Sequence, residues 1–231
     1  MVTRRIFVIA LLLSLGGLSV WSADVVTQTG RLSPFREVLI DIPGDVKLIA
    51  GASPDYTITA EPVVVAEVSF KVTGQKLVVT AGKNFDTRKP VVIAIHLPVL
   101  AKLEANGSVT VASSVPTAED SFELRMEGAS DVTMGAIQTK STKVTLTGSG
   151  TITMSGRSDK LVLALSGSAD GKLRNLKTQD ANVSISGSGD VVVSAARSLK
   201  AAIAGAGDIS YVGDPKVESN ISGVGDVTKI N

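Results

Sequence analysis

The chain has no cysteine. It can form no disulfide, and it lacks the thiol on which a bacterial lipoprotein signal would build its lipid anchor. Aromatic residues make up only 3%, with one Trp, at position 21. Platforms for stacking sugar rings are therefore scarce, and any core must be aliphatic. His96 is the only histidine, so no histidine-based metal cluster or Ser-His-Asp arrangement can be built around it, and its expected role is structural, at a strand end. An excess of one charge is also missing: 23 Lys and Arg stand against 22 Asp and Glu. Nothing in that balance recruits nucleic acid or an anionic lipid surface.

The first residues supply what the composition does contain in one block. Met1-Val2-Thr3-Arg4-Arg5 precedes an apolar run from Ile6 to Leu18, followed by Ser19-Val20-Trp21-Ser22-Ala23, the layout of a secretory signal. The run is too short for the roughly 20 residues of a spanning helix and contains Gly16 and Gly17. We therefore expect residues 1–22 to be a cleaved signal peptide and maturity to begin near Ala23 or Asp24. No membrane span would remain, and the product would be periplasmic, secreted or held at a bacterial cell surface. Loss of Arg4 and Arg5 changes the formal net charge from +1 to −1.

The second half repeats. Leu124 to Met134, Val144 to Met154, Leu163 to Leu173, Val183 to Val193, Ala201 to Tyr211 and Ser219 to Lys229 share one pattern: two short alternating runs joined at a glycine tract, as in Val183-Ser-Ile-Ser-Gly-Ser-Gly-Asp-Val-Val-Val193. The leading glycines fall at 128, 148, 167, 187, 205 and 223, a period of about 19, with Gly107 as a weaker earlier member. Alternation over so few residues is a strand signal. Two or more strands per unit at this period predict a parallel coil, each turn pairing with the turns above and below at about 4.8 Å. The glycines fit a sharp bend in every coil, where positive φ carries no Cβ penalty. Gly148, Gly150, Gly187, Gly189, Gly205, Gly207, Gly223 and Gly225 are expected to stack as one corner.

From Arg31 to Leu100 the pattern is looser, with Val38 to Ile49 and Phe70 to Thr80 each hinging on one glycine, and a polar loop runs from Lys83 to Pro90. No linker divides the chain. The expected organisation is a signal at 1–22 and one domain over 23–231, with irregular opening coils at 31–100 and regular Gly-x-Gly-Asp coils at 101–231.

The opening Ile40 or Ile42, Gly44 and Val46, the strand leading into Leu97-Pro98-x-Leu100, the Gly-Ser-Gly-Asp-Val repeats, and Tyr211-x-Gly213-Asp-Pro215 followed by Gly223-x-Gly225-Asp226 together resemble the auto-transporter adhesins with a head GIN domain. The resemblance spans nearly all of residues 31–231. It implies an all-β fold, a right-handed single-stranded parallel β-helix (solenoid) that is pectin-lyase-like in shape, together with export and an adhesive role. It brings no catalytic residue. The chain departs from the repeat at Thr151, where the Asp is missing, and at Ser130, Ala169 and Gly171.

The chemistry worth weighing is the column Asp131, Asp170, Asp190, Asp208 and Asp226. Carboxylates after glycines in a β-coil can hold calcium or act as acid and base, and Asp190, Asp208 and Asp226 are the candidates for such a metal site. Asp after Gly also caps its own turn by accepting a nearby N–H, which is our first reading. Calcium-binding rolls carry Gly-Gly-x-Gly-x-Asp at nine-residue periods, unlike this chain. A sugar-cleaving site would want a base beside the carboxylates and aromatic platforms, whereas Arg125, Arg157, Arg174 and Arg197 lie elsewhere in their units. Outward Thr145, Thr147, Ser184 and Ser186 form a small, flat polar face, fit to bind by hydrogen bonds.

The expected function is that of a non-enzymatic exported cell-envelope protein, an adhesin or binding scaffold. Its partners would be a surface glycan, an envelope protein or further copies of itself, since stacked coils leave open edges. No cofactor and no nucleic acid are expected. The alternative is a carbohydrate-active β-helix enzyme, a polysaccharide lyase or hydrolase, or a calcium-binding module, either using the Asp column.

Overall fold

Strands with a period of two send alternate side chains inward, and burial in this chain alternates accordingly. In the computed structural model, which describes residues 5–6, 25–82 and 87–231, the inward positions Val144, Leu146, Leu163, Leu165, Val183, Ile185, Leu199 and Ile203 are buried. Their outward neighbours Lys143, Thr147, Ser184 and Ser186 are exposed. Apart from residues 5 and 6, the expected signal peptide lies outside the described residues, as do residues 83–86 of the polar loop.

The protein is all-β. Its strands join in one 14-stranded sheet whose pairing path does not close on itself. The repeats pair in parallel, each with a segment about one period away. Lys102 to Ser113 aligns with Glu123 to Met134, Gly171 to Leu173 with Val191 to Val193, Ala201 to Ala206 with Ser219 to Val224, and Ile209 to Tyr211 with Val227 to Lys229. Like residues consequently stack on like: Ile185 on Ile203, and Ile203 on Ile221. From Ser121 to Ser188 the backbone is one uninterrupted 68-residue strand, because the glycine corners turn it without breaking the extended pairing.

The opening segment differs from the expectation of coils alone. Val26–Arg31, Asp55–Ala60 and Val92–Leu97 lie side by side antiparallel, and Ser69–Thr73 forms a hairpin with Lys76–Thr80. A six-residue helix, Pro62–Glu67, buries Val64 and Val65. Only Glu37–Asp41 and Gly44–Ala50 pair in parallel onto the first regular coil, Lys102–Ser113. The physical reason lies one layer further out: Lys76–Thr80 and Val92–Leu97 pair in parallel with Glu37–Asp41 and Gly44–Ala50, and no further parallel segment follows them, so the inward aliphatics there need another cover, which the helix and the antiparallel strands supply. Tyr56 stacks on Phe70 there, ring centroids 3.8 Å apart. At the far end, Lys216–Val224 is exposed along its whole length.

Candidate functional site

Glycine in each coil lets the backbone of the next coil approach closely. A Cβ built on Gly187, where φ is +132°, would fall 2.2 Å from the carbonyl oxygen of Gly167. The stack continues through Gly148, Gly205 and Gly223, each lying against the carbonyl of the preceding coil's glycine. A second column follows two residues on. Gly150 lies against Ser130, Gly189 against Ala169, Gly207 against Gly189 and Gly225 against Gly207. Positive φ occurs at Gly150 and Gly189 but not at Gly207 or Gly225, where close approach alone demands the missing side chain. Two departures from the repeat sit in this second column. Ala169 is buried, and Ser130 is buried with its hydroxyl donating to the Gly107 carbonyl at 3.0 Å.

The Asp column borders this corner and is exposed. Four of its five carboxylates are tied to the next coil rather than to their own turn. Asp131 Oδ1 accepts the backbone N–H of Thr151 at 2.8 Å, Asp170 Oδ1 that of Asp190 at 3.0 Å, Asp190 Oδ1 that of Asp208 at 3.1 Å, and Asp208 Oδ1 that of Asp226 at 2.8 Å. The ladder directs one oxygen of each of these four groups at a backbone donor, which offsets part of the repulsion between like charges one rung apart. Where the column loses its Asp, Thr151 still donates downward. Among the described residues no group of three or more His, Asp or Glu side chains is placed to hold a metal ion.

On the adjoining face the charges alternate from strand to strand. Glu104 is held by Lys76 and, at 3.1 Å, by Lys102, which also faces Glu123 at 3.7 Å, and Lys143 reaches Glu123 at 3.5 Å. Burial pushes the Glu104 carboxyl up, and the two lysines more than reverse it, so it ionises below its ordinary value. His96 pairs with Asp55 at 2.7 Å near the opening end. Among the described residues, no hydroxyl is hydrogen-bonded to His96.

A second corner was not anticipated. Thr117, Thr139, Ser158 and Thr178 are buried hydroxyls that recur at the coil period. Thr139 donates to the Ser141 carbonyl at 2.7 Å, Ser158 to that of Lys160 at 2.9 Å and Thr178 to that of Ser194 at 2.6 Å, while Thr117 accepts the Gln138 N–H at 3.0 Å. Hydroxyls bend this corner through side-chain to backbone bonds where glycines bend the other. Long polar side chains flank it and enclose three shallow hollows of about 420, 400 and 330 Å³. Spacing of Ser and Thr at 19 to 22 residues was the available signal, masked by the abundance of both residues in the outward faces.

Residues 34–215 match the family described as putative auto-transporter adhesin, head GIN domain. Solved structures share the fold. A putative adhesin from Bacteroides fragilis is 22% identical and superposes with a TM-score of 0.85, over 90% of this chain and 98% of that one. A structure described as a putative lipid binding protein from Parabacteroides distasonis is 21% identical with a TM-score of 0.67, over 90% and 98%. A putative adhesin from Parabacteroides merdae is 17% identical with a TM-score of 0.68, over 90% and 97%. No curated protein matches the chain.

Proposed function

This chain belongs to the family of auto-transporter adhesins with a head GIN domain, and from that premise we propose that it is a non-enzymatic binding module of the bacterial cell envelope. Residues 1–22 direct export and are removed, leaving one domain over 23–231 that works in the periplasm, outside the cell or at its surface. Among the described residues no helix is long and apolar enough to cross a membrane. The domain is a right-handed single-stranded β-helix. Supporting this are the parallel registers that advance by about one coil along the repeats and keep like residues stacked. The product is a stiff stack whose outward faces contact glycan, envelope protein or other copies of itself.

The observation that carries this reading is the use to which the Asp column is put. Four of its carboxylates each cap a backbone N–H at 2.8 to 3.1 Å, which gives them a structural role that needs neither metal nor substrate. The test uses fluorescently labelled protein on isolated bacterial envelopes, alongside its Asp190→Asn and Asp208→Asn forms. Saturable binding that both variants keep, with no release of sugar ends from envelope polysaccharide, is the expected result. Sugar release by the native protein that either variant abolishes would overturn it in favour of an enzyme. Thermal unfolding with calcium and with a chelator completes the test, since a ligand of the native state raises the midpoint by mass action. The expected midpoints coincide.

A further inference from the structure

We propose that the hollow between Arg157 and Lys177, on the hydroxyl corner, binds a carboxylate or phosphate group of an envelope polymer. The proposal rests on the binding reading above and names the site and chemistry. Gly156 lies on Ile137, with a built Cβ 2.2 Å from its carbonyl oxygen, so Arg157 follows Gln138 up one outward column. The coil period puts Lys177 on the next rung, about 4.8 Å further along the stack. Both side chains are exposed and both line a hollow of about 400 Å³, together with Gln179, Ser194, Gly213 and Asp214.

Two cations on adjacent rungs repel each other, and the carboxylate that lines their shared hollow is committed elsewhere. Asp214, in the wall of the hollow, is paired with Lys229. Asp180 is held by Arg197 and Ser198, and Asp120 by Lys140. Among the described residues no carboxylate is ion-paired with Arg157 or Lys177, and the Lys177 ammonium reaches only the Arg174 carbonyl, at 3.4 Å. An anion between the two would relieve their repulsion, and the planar guanidinium of Arg157 offers two parallel N–H groups to a carboxylate or phosphate. Gln179 and Ser194 add uncharged hydrogen-bonding groups.

The geometry also says on which side the anion sits. Arg157 borders a second hollow of about 330 Å³ together with Gln138 and Lys140, but that one also carries Glu119 and Asp159, which disfavour an anion. The charged group therefore belongs on the Lys177 side, and an uncharged stretch of the same polymer can continue along the other. With so few aromatics in the chain, recognition by charge and hydrogen bonds replaces ring stacking.

Affinity electrophoresis of the purified protein through gels containing polygalacturonate, inorganic polyphosphate or dextran tests this. One or both anionic polymers should retard the protein and dextran should not; which of the two acts distinguishes a carboxylate from a phosphate ligand. The double substitution Arg157→Gln with Lys177→Gln should weaken retardation at least about tenfold, while Arg125→Gln, at a cation engaged by Glu127 on another face, should leave it unchanged. An unchanged melting curve of the double variant establishes that it folds. Equal retardation of native and double-variant protein, no retardation by either anionic polymer, or equal retardation by dextran would each overturn the proposal. If labelled protein still binds isolated envelopes while the double variant binds them equally well, this site fails and the binding reading survives; if neither binds envelopes, the binding reading itself fails.

Discussion

At Gly187 two demands meet, a φ of +132° and a neighbouring carbonyl 2.2 Å from any Cβ. Alanine there must adopt a disfavoured backbone and also push apart two coils held by their pairing. Gly187→Ala should therefore cost about 2–4 kcal/mol, read as a lower midpoint in urea unfolding. Gly135→Ala is the control. Its φ is not in the left-handed region and the nearest atom, Ser155 Oγ, is 3.8 Å away, so the change should stay within about 0.5 kcal/mol. A different residue-scale defect is Thr142, whose buried hydroxyl has no hydrogen-bond partner. Thr142→Val removes an unsatisfied polar atom while keeping β-branching, and should stabilise the protein by about 1 kcal/mol. A rise in the urea midpoint would bear this out, and a fall would mean that the hydroxyl finds water in solution.

Within the coils, a residue's cost depends on what lies above and below it, not on its type. Ile185, Ile203 and Ile221 occupy one inward column, yet exposure jumps from 2% and 1% at the first two to 42% at Ile221 in the last coil. Replacement by Ala should cost about 2–5 kcal/mol at Ile185 and Ile203 and well under half of that at Ile221, measured by urea unfolding of the three variants. That column was legible in the sequence, because period-two alternation and a period of about 19 fix which residues face inward and which stack. The opening strands were less legible. Val26–Arg31, Asp55–Ala60 and Val92–Leu97 alternate as the coils do, and alternation is silent on whether a neighbour runs parallel or antiparallel. At the corners, the glycines advertised their position, whereas the direction of the Asp hydrogen bonds, one coil onward, depends on a spatial neighbour about 20 residues away. The charge ladder was equally hidden, since Lys76 and Glu104 meet only through the intervening strand Glu37–Asp41. It carries a pH signature: Glu104 ionises below its ordinary value once folded. The stability it adds is present above the unfolded carboxylate range near pH 4.3 and is lost as the pH falls through the lower folded value. The thermal midpoint should hold steady from pH 8 to 6 and drop below about pH 4, and Glu104→Gln should flatten part of that drop.

For the whole molecule, the parallel pairing of successive repeats makes stability a matter of neighbours: each repeat is supported by the ones it pairs with, and the last described repeat has one such neighbour instead of two. The two ends of the described chain are not equivalent. At the opening end the helix Pro62–Glu67, the antiparallel strands and the Tyr56–Phe70 stack cover the aliphatic interior. At the other end Lys216–Val224 is exposed throughout, and Val217, Ile221 and Val224 show apolar surface to solvent. Opening should accordingly start at that strand and propagate inward one coil at a time, because releasing it exposes little additional apolar area, whereas releasing any interior coil exposes two aliphatic layers. Native-state hydrogen exchange resolved by residue tests this directly. Amides of Lys216–Val224 should exchange fastest among the strands of the repeats, those of Ala201 to Ala206 next, and those of Val144 to Leu165 slowest, with urea bringing the faster groups together before global unfolding. Uniform protection from Val144 to Val224 would mean that the coils unfold as one cooperative block, with the exposed end held by contacts as strong as those of the interior. The same gradient would give the hydroxyl corner its setting: Arg157 should fall within the most protected stretch and Lys177 one repeat further on, so the hollow between them should be mounted on backbone that opens only late.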